Sequence, residues 1–315
     1  DILAQRPSNR VIMDPTDYLF FNDNIGGTLN NPNLKPEKTI DFELGFKQKV
    51  SATAAVTISA FYREFRDQVQ VRKIIYAYPK DYITYGNIDF GTTKGFILDF
   101  DLRRTSNVTL KANYTMSFAE GTGSDDRSQA NLVNSNQPNF RSINSLNYDA
   151  RHMINLNASY SFGEGKDYNG PVVKNKQILS NFGLNLQLSA RSGTPYTEQT
   201  NATPEGIDGL PGRPITKGSI NGSRIPWYFR LNARIWKDFV FTVGKKDAKR
   251  DDKRELSLQI YLQVQNLIGS KNAVAVYRFT GTPNDDGYLS DPASNAAIQS
   301  ALNPQAYKDL YAAYI

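Results

Sequence analysis

Residues 31–49 read NPNLKPEKTIDFELGFKQK. The stretch changes character at Thr39. Before it stand Pro32, Pro36 and a run of Asn and Lys, the composition of a turn or loop. After it Ile40, Phe42, Leu44 and Phe46 alternate with Asp41, Glu43, Gly45 and Lys47. Period-2 alternation predicts a strand with one apolar and one polar face.

The same pattern recurs seven times more. Val56, Ile58, Ala60 and Tyr62 form the second apolar face, and Phe96, Leu98, Phe100 and Leu102 the third. Val108, Leu110, Ala112, Tyr114, Met116 and Phe118 form the fourth, and Ile154, Leu156, Ala158, Tyr160 and Phe162 the fifth. Leu184–Ala190, Phe229–Ile235 and Leu256–Val264 supply the sixth to eighth. These runs are about 9–11 residues long, the length a tilted strand needs to cross a bilayer, against about 5–6 for a soluble strand. Phe46, Tyr62, Tyr114, Phe118, Tyr160, Phe162 and Trp236 lie near strand ends, as in aromatic girdles at two membrane interfaces. A soluble two-sheet sandwich also alternates, but strand length and the strongly polar opposite face favour a transmembrane antiparallel β-barrel.

The connections agree. Short turns are expected near Ser51–Thr53 and Arg104–Asn107. Longer stretches separate the second and third strands (Asp67–Gly91), the fourth and fifth (Glu120–Ala150) and the sixth and seventh (Ser192–Ser223). GEGKDYNGPVVKNKQ and the charged TVGKKDAKRDDKRE (242–255) join the fifth to sixth and seventh to eighth. Long and shorter connections therefore alternate. Outer-membrane barrels do this, with short turns periplasmic and long loops outside. The acids in 242–255 interrupt its basic face and no aromatics interleave, so a solvated turn is expected there rather than a nucleic-acid patch.

Composition fits the barrel without proving it. The hydrophobic fraction is 39% and the net charge +6, and a barrel that sets only every second residue in lipid stays this polar. No apolar run is long enough for a transmembrane helix. The opening DILAQRPSNR lacks the apolar centre of a signal peptide, so the expectation is either a chain that is not exported or an internal or processed piece. There is no cysteine, and His152 is the single histidine. Disulfides and thiolate chemistry are thereby excluded, and a histidine-based triad has one candidate base.

The NPNLKPEKT entry with its alternating strand resembles a recurring element of TonB-dependent outer-membrane transporters. YGNIDFGTTKGFILDF (85–100), DARHMINLNASYSFG (149–163), RSGTPYT (191–197), NGSRIPWYFRLNARIWKDF (221–239) and VQNLIGSKNAVAVYRFTGTPNDDGYL (264–289) resemble the Oar-like, or carboxypeptidase-regulatory-like, subgroup. That resemblance implies a 22-stranded barrel closed by an N-terminal plug and energised through TonB. This chain shows no plug, no TonB-box segment and no final strand ending in an aromatic. Residues 1–315 are therefore expected to be the C-terminal part of a barrel domain, with the plug, the early strands and the last strand absent, and 268–315 a long extracellular loop. Eight strands could also close into a small barrel of their own, but the long loops and the absent return strand favour a segment of a larger one.

The function implied is TonB-dependent uptake of an unidentified ligand across the outer membrane of a Gram-negative bacterium, with no enzyme activity and no cofactor. The alternatives are a non-transporting barrel subunit or scaffold of an outer-membrane complex, and a soluble β-rich binding module. Expected partners are outer-membrane lipid and lipopolysaccharide, the TonB complex through the N-terminal part, and an extracellular lipoprotein or other outer-membrane subunit, but not nucleic acid.

No catalytic, metal or substrate-binding residue stands out. His152, after Asp149 and Arg151, is expected to be a structural rim residue. PNDDGYLSD (283–291) lacks the acid spacing and closing glutamate of a calcium loop, so an Asp-Gly turn is expected, and GSDDRS (123–128) is weaker still. SGTPYTEQTNATPEGIDGLPGRP (192–214), with Tyr196, is a loop that could contact a ligand or pack passively. Arg63, Arg103, Lys111, Arg191, Arg230 and Arg234 with Asp41, Glu43, Asp99 and Asp101 should make a mixed-charge inner wall.

Overall fold

Eight long strands follow the eight alternating runs. They are β1 (Lys38–Lys49), β2 (Ala54–Ile74), β3 (Tyr82–Thr105), β4 (Val108–Gly121), β5 (His152–Ser161), β6 (Phe182–Arg191), β7 (Tyr228–Val243) and β8 (Arg254–Val264). The computed structural model describes residues 28–78, 81–202, 214–243, 254–292, 294 and 298–314. The strands form one antiparallel sheet in sequence order, β1 to β8. The charged segment between β7 and β8 lies outside the described residues.

Residues opposite one another in an antiparallel pair point to the same face, so the register can be followed across the sheet. Phe46 pairs with Ile58, Ile58 with Leu98, Leu98 with Tyr114 and Tyr114 with Ile154. Ile154 pairs with Ala190 and Ala190 with Phe229. A second row runs Val56, Phe100, Ala112, Leu156, Leu188, Leu231. One unbroken apolar face results. The other face carries Lys47, Thr57, Asp99, Asn113, Asn155, Ser189 and Arg230 in a single row. Nothing among the described residues covers the apolar face: Leu44 is 81% exposed, Phe42 61% and Leu262 64%. A sandwich would bury these side chains against a second sheet, so the face has lipid for its partner.

The connection between the second and third runs departs from the expected long loop. β2 continues to Ile74 and β3 begins at Tyr82, so the two pair almost to the tip of the hairpin. At about 3.3 Å per residue, β2 is roughly 70 Å long, and about ten of its residues suffice to cross a bilayer. The remainder stands outside the membrane. The alternation is hard to follow because bulges break its phase between Phe65 and Val69, where Asp67 takes φ +56°. Beyond them Val69 and Val71 turn inward onto Tyr85 and Val133, with Leu34, Ile83 and Ala130 packed around. A short helix α1 (Ala130–Asn134) from the β4–β5 connection supplies Val133.

Trp236 also differs from expectation. It pairs with Gly183 and Tyr261 and lies on the polar face, not in the girdle. Gly183 makes room for it: a Cβ there would sit 2.1 Å from the indole. One residue of phase separates Ile235 from Trp236, and a ring at a strand end does not reveal its side.

The segment after β8 is more ordered than a plain loop. Tyr288, Ile298 and Tyr311 form a small core with Ala202, flanked by Phe279, Leu289 and Tyr307. Tyr307 and Tyr311 lie on helix α2 (Pro304–Tyr314).

Candidate functional site

At the end of the sheet that carries the long connections, the apolar face closes in a row of rings. Tyr114 stacks on His152 with centroids 6.1 Å apart, His152 on Trp227 at 5.8 Å, and Trp227 on Phe229 at 5.9 Å. The Tyr114 hydroxyl and His152 Nδ1 are 2.8 Å apart. His152 therefore belongs to an interfacial girdle, as amphipathic rings at a water boundary do. It faces away from the polar wall, and its ring is held between Tyr114 and Trp227.

The polar face is a wall of amides and charges, many of them paired with one another. Arg63 Nε donates to Asp41 at 2.9 Å, Asn113 to Asp99 at 2.7 Å and Asn185 to Asn157 at 2.6 Å. Arg234 donates to Gln259 at 2.9 Å and lies over the Tyr261 ring at 4.3 Å. Gln259 in turn donates to Asp238. Asp99, Asp101, Lys47 and Lys111 line one depression of about 530 Å³, and Arg234, Asn185, Asn232 and Trp236 another of about 420 Å³. The mixed-charge wall expected from the alternation is thus present. Trp236 and Tyr261 are among its aromatic members, as is Phe61 opposite Glu43.

Above the sheet, the loops are tied together by buried polar groups. Gln70 is fully buried and donates through Nε2 to Asp89 at 2.9 Å, to the Asp125 carbonyl at 2.8 Å and to Ser128 at 2.9 Å. Thr122 donates to the other Asp89 oxygen at 3.0 Å. Burial pushes the Asp89 carboxyl above the usual range, although both hydrogen bonds oppose the rise. GSDDRS is thereby a structural turn, with Asp125 accepting from the Arg127 amide.

Asp149 is the second tie. It accepts from the Ala119 amide at 2.9 Å and from the Arg224 guanidinium. Arg224 also donates to the carbonyls of Asp149 at 2.6 Å and Gly193 at 3.1 Å. Arg151 Nε lies 3.8 Å from the same carboxylate, within ion-pair reach but beyond a hydrogen bond. Arg224 draws no notice in the sequence, because its partner is 75 residues away. Its place just before an aromatic-rich strand was the one available signal.

The two remaining loop candidates behave differently. In 283–291, Asp285 accepts from Gly287 N, Asp286 from Tyr288 N and the Tyr311 hydroxyl, and Asp291 from Ser294. Gly287 takes φ +76°. This is the expected Asp-Gly turn, and it anchors α2. In 192–214 the residues to Ala202, and residue 214, are described. Pro195–Tyr196 pairs with Ser223–Arg224, and Glu198–Gln199 with Thr216–Lys217. Hydrogen bonding by Ser223, then Lys217, holds the Glu198 carboxyl below its usual range. Burial raises the Tyr196 phenol.

A family profile described as "TonB dependent receptor-like, beta-barrel" matches residues 6–267. No curated protein matches the chain. Among solved structures, the outer membrane transporter YddB from Escherichia coli aligns at 13% identity and TM-score 0.47, over 79% of this chain and 31% of its own. The ferric-catecholate import receptor Fiu from E. coli K12 aligns at 14% identity and TM-score 0.44, over 78% and 26%. P. aeruginosa FpvA, solved with heterologous pyoverdines, aligns at 10% identity and TM-score 0.39, over 65% and 22%. The chain thus spans a third or less of the length of each of these structures.

Proposed function

The chain belongs to the TonB-dependent receptor β-barrel family, and from that premise we propose that it forms the wall and outer loops of an active importer in the outer membrane of a Gram-negative bacterium. The observation that carries this reading is the unbroken division of the sheet into a lipid-facing apolar side and an amide-rich, charged side across all eight strands. A barrel whose interior hydrogen-bonds water, a plug or a passing ligand needs such a wall. The salt bridges and amide pairs hold that wall rigid without closing it.

Ligand capture falls to the outer loops, where the hairpin of β2 and β3, the 122–150 connection and the described parts of the 192–227 connection and the 268–314 segment meet. Energy comes from the inner membrane through TonB, acting on a plug in the N-terminal part of the protein. Outer-membrane lipid and lipopolysaccharide surround the apolar face, and an extracellular lipoprotein is a fitting partner for the exposed loops. The protein is a carrier and not an enzyme.

The test is accumulation of radiolabelled peptides and oligosaccharides, pooled from growth medium, in cells that produce the protein. Accumulation should stop when TonB is deleted or the proton gradient is collapsed. Accumulation that survives both, or none at all, would leave a barrel subunit that does not transport.

A further inference from the structure

We propose that the inner wall around Trp236 carries a subsite for a neutral sugar unit of the passing ligand. This names a substrate class for the import reading above and rests on it.

Trp236 lies flat on the sheet. A Cβ added at Gly183 would meet its Cζ2 at 2.1 Å, Cε2 at 2.3 Å and Cη2 at 2.6 Å. Distances so even describe a ring met on its face and not at its edge. One indole face therefore rests on the Gly183 backbone. The other looks into the depression of about 420 Å³ that the ring helps to line, a volume within the range of ligand sites. Every lining residue sits on the paired strands β5 to β8, so the site is made of rigid wall and not of loop.

Amides continue from the ring in register. Arg234 pairs with Asn185 and Gln263, and Asn232 with Gln187. Successive rows on one face lie about 7 Å apart at the rise of a strand, close to the advance of one unit in a sugar chain. Part of this array is fixed before a ligand arrives. Asn185 Nδ2 donates to Asn157 at 2.6 Å and to Ser159 at 2.7 Å, and Gln259 donates to Asp238 at 2.7 Å. Less ordering is then left to the binding step.

The chemistry of the wall selects the ligand. A pyranose has a face of C–H groups that packs on an indole, and a rim of hydroxyls that both donate and accept, as carboxamides do. Arg234 is the one charged lining residue among those described. It is already engaged, donating to Gln259 at 2.9 Å and lying over the Tyr261 ring at 4.3 Å. The wall thus asks for no charge on the ligand. An extended peptide can use the amides but offers the indole no constant flat face.

Calorimetric titration of the full chain, purified in detergent, tests this. The probes are cellotriose, maltotriose and xylotriose, with N-acetyl-trialanine amide as the neutral peptide. At least one trisaccharide should bind, more tightly than the peptide. Trp236→Ala should weaken that binding roughly tenfold or more, as loss of a stacked ring does, and Trp236→Phe should keep part of it. Gln187→Leu, which leaves the ring in place, should weaken it about threefold, as loss of a neutral hydrogen bond does. Binding of none of the three sugars, undiminished binding to a folded Trp236→Ala protein, or a peptide that binds more tightly than every sugar would overturn the proposal. If Trp236→Ala does not fold, Gln187→Leu decides, and unchanged affinity there overturns it. Failed sugar binding with intact gradient-dependent uptake removes the subsite alone. Trp236-dependent binding without such uptake removes the transport reading alone.

Discussion

Replacing Arg224 with alanine should unlatch the two long loops from each other. The Asp149 side chain is 1% exposed and the Arg224 side chain 22%. The substitution removes the guanidinium from one carboxylate oxygen and strips the bonds to the Asp149 and Gly193 carbonyls. The Ala119 amide at 2.9 Å and Arg151 at 3.8 Å remain, and neither neutralises the charge at contact. Breaking a buried pair by deleting one partner costs about 3–5 kcal/mol. Arg224 is partly solvated, so the lower end, about 3 kcal/mol, is expected here. At about 1.4 kcal/mol per decade, amides near the tie, such as Ala119 and Ser192, should exchange roughly a hundredfold faster. Amides at the centre of β4 and β5 should not change. The double replacement Asp149→Ala with Arg224→Ala should be milder than the sum of the single ones, because no unpaired charge is then buried. Hydrogen exchange by mass spectrometry, in detergent and corrected for intrinsic rates, reads both effects. Unchanged exchange in the single variant, or strict additivity in the double one, would refute the tie.

Other perturbations follow from the same contacts. Gly183→Val should force Trp236 off the polar face, costing about 1–3 kcal/mol as overpacking does and changing indole fluorescence; an unchanged spectrum and midpoint would contradict the close approach. His152→Ala should remove the middle ring of the Tyr114–His152–Trp227 stack, costing on the order of 1 kcal/mol, with no loss of ligand uptake; lost uptake at normal stability would give His152 a chemical role. Asp89 has its proton affinity raised in the fold by burial, so the native state binds more protons than the unfolded one. Its contribution should therefore stabilise the hairpin increasingly as pH falls through the raised native value. Corrected exchange at Gln70–Ile74 should slow between neutral and mildly acidic pH; acceleration there would reverse the assignment.

The strands were legible because each crosses the membrane once and shows one face to lipid, so alternation in 31–49 or 108–118 reports the fold directly. Where that link breaks, reading fails. The bulges near Asp67 shift the phase of β2, and Gly86, Asn87 and Gly91 look like loop residues, so the outer half of the hairpin resembles a long connection. Trp236 is one residue out of phase with the girdle, and its place depends on Gly183 in another strand. Arg224 and Asp149, and the Tyr288–Tyr311 core, are pairings between distant segments, which no local pattern encodes. The Asp-Gly turn at 285–287 was legible, because its hydrogen bonds close within a few residues.

The chain has no cysteine, so single cysteines can be introduced along β4 from Leu110 to Ser117 and spin-labelled in lipid vesicles. Collision with oxygen, which concentrates in lipid, should peak at Leu110, Ala112, Tyr114 and Met116. Collision with a polar nickel chelate should peak at Lys111, Asn113, Thr115 and Ser117. Accessibility that alternates out of phase with this register, or labels that remain wholly in water, would contradict a membrane-spanning wall.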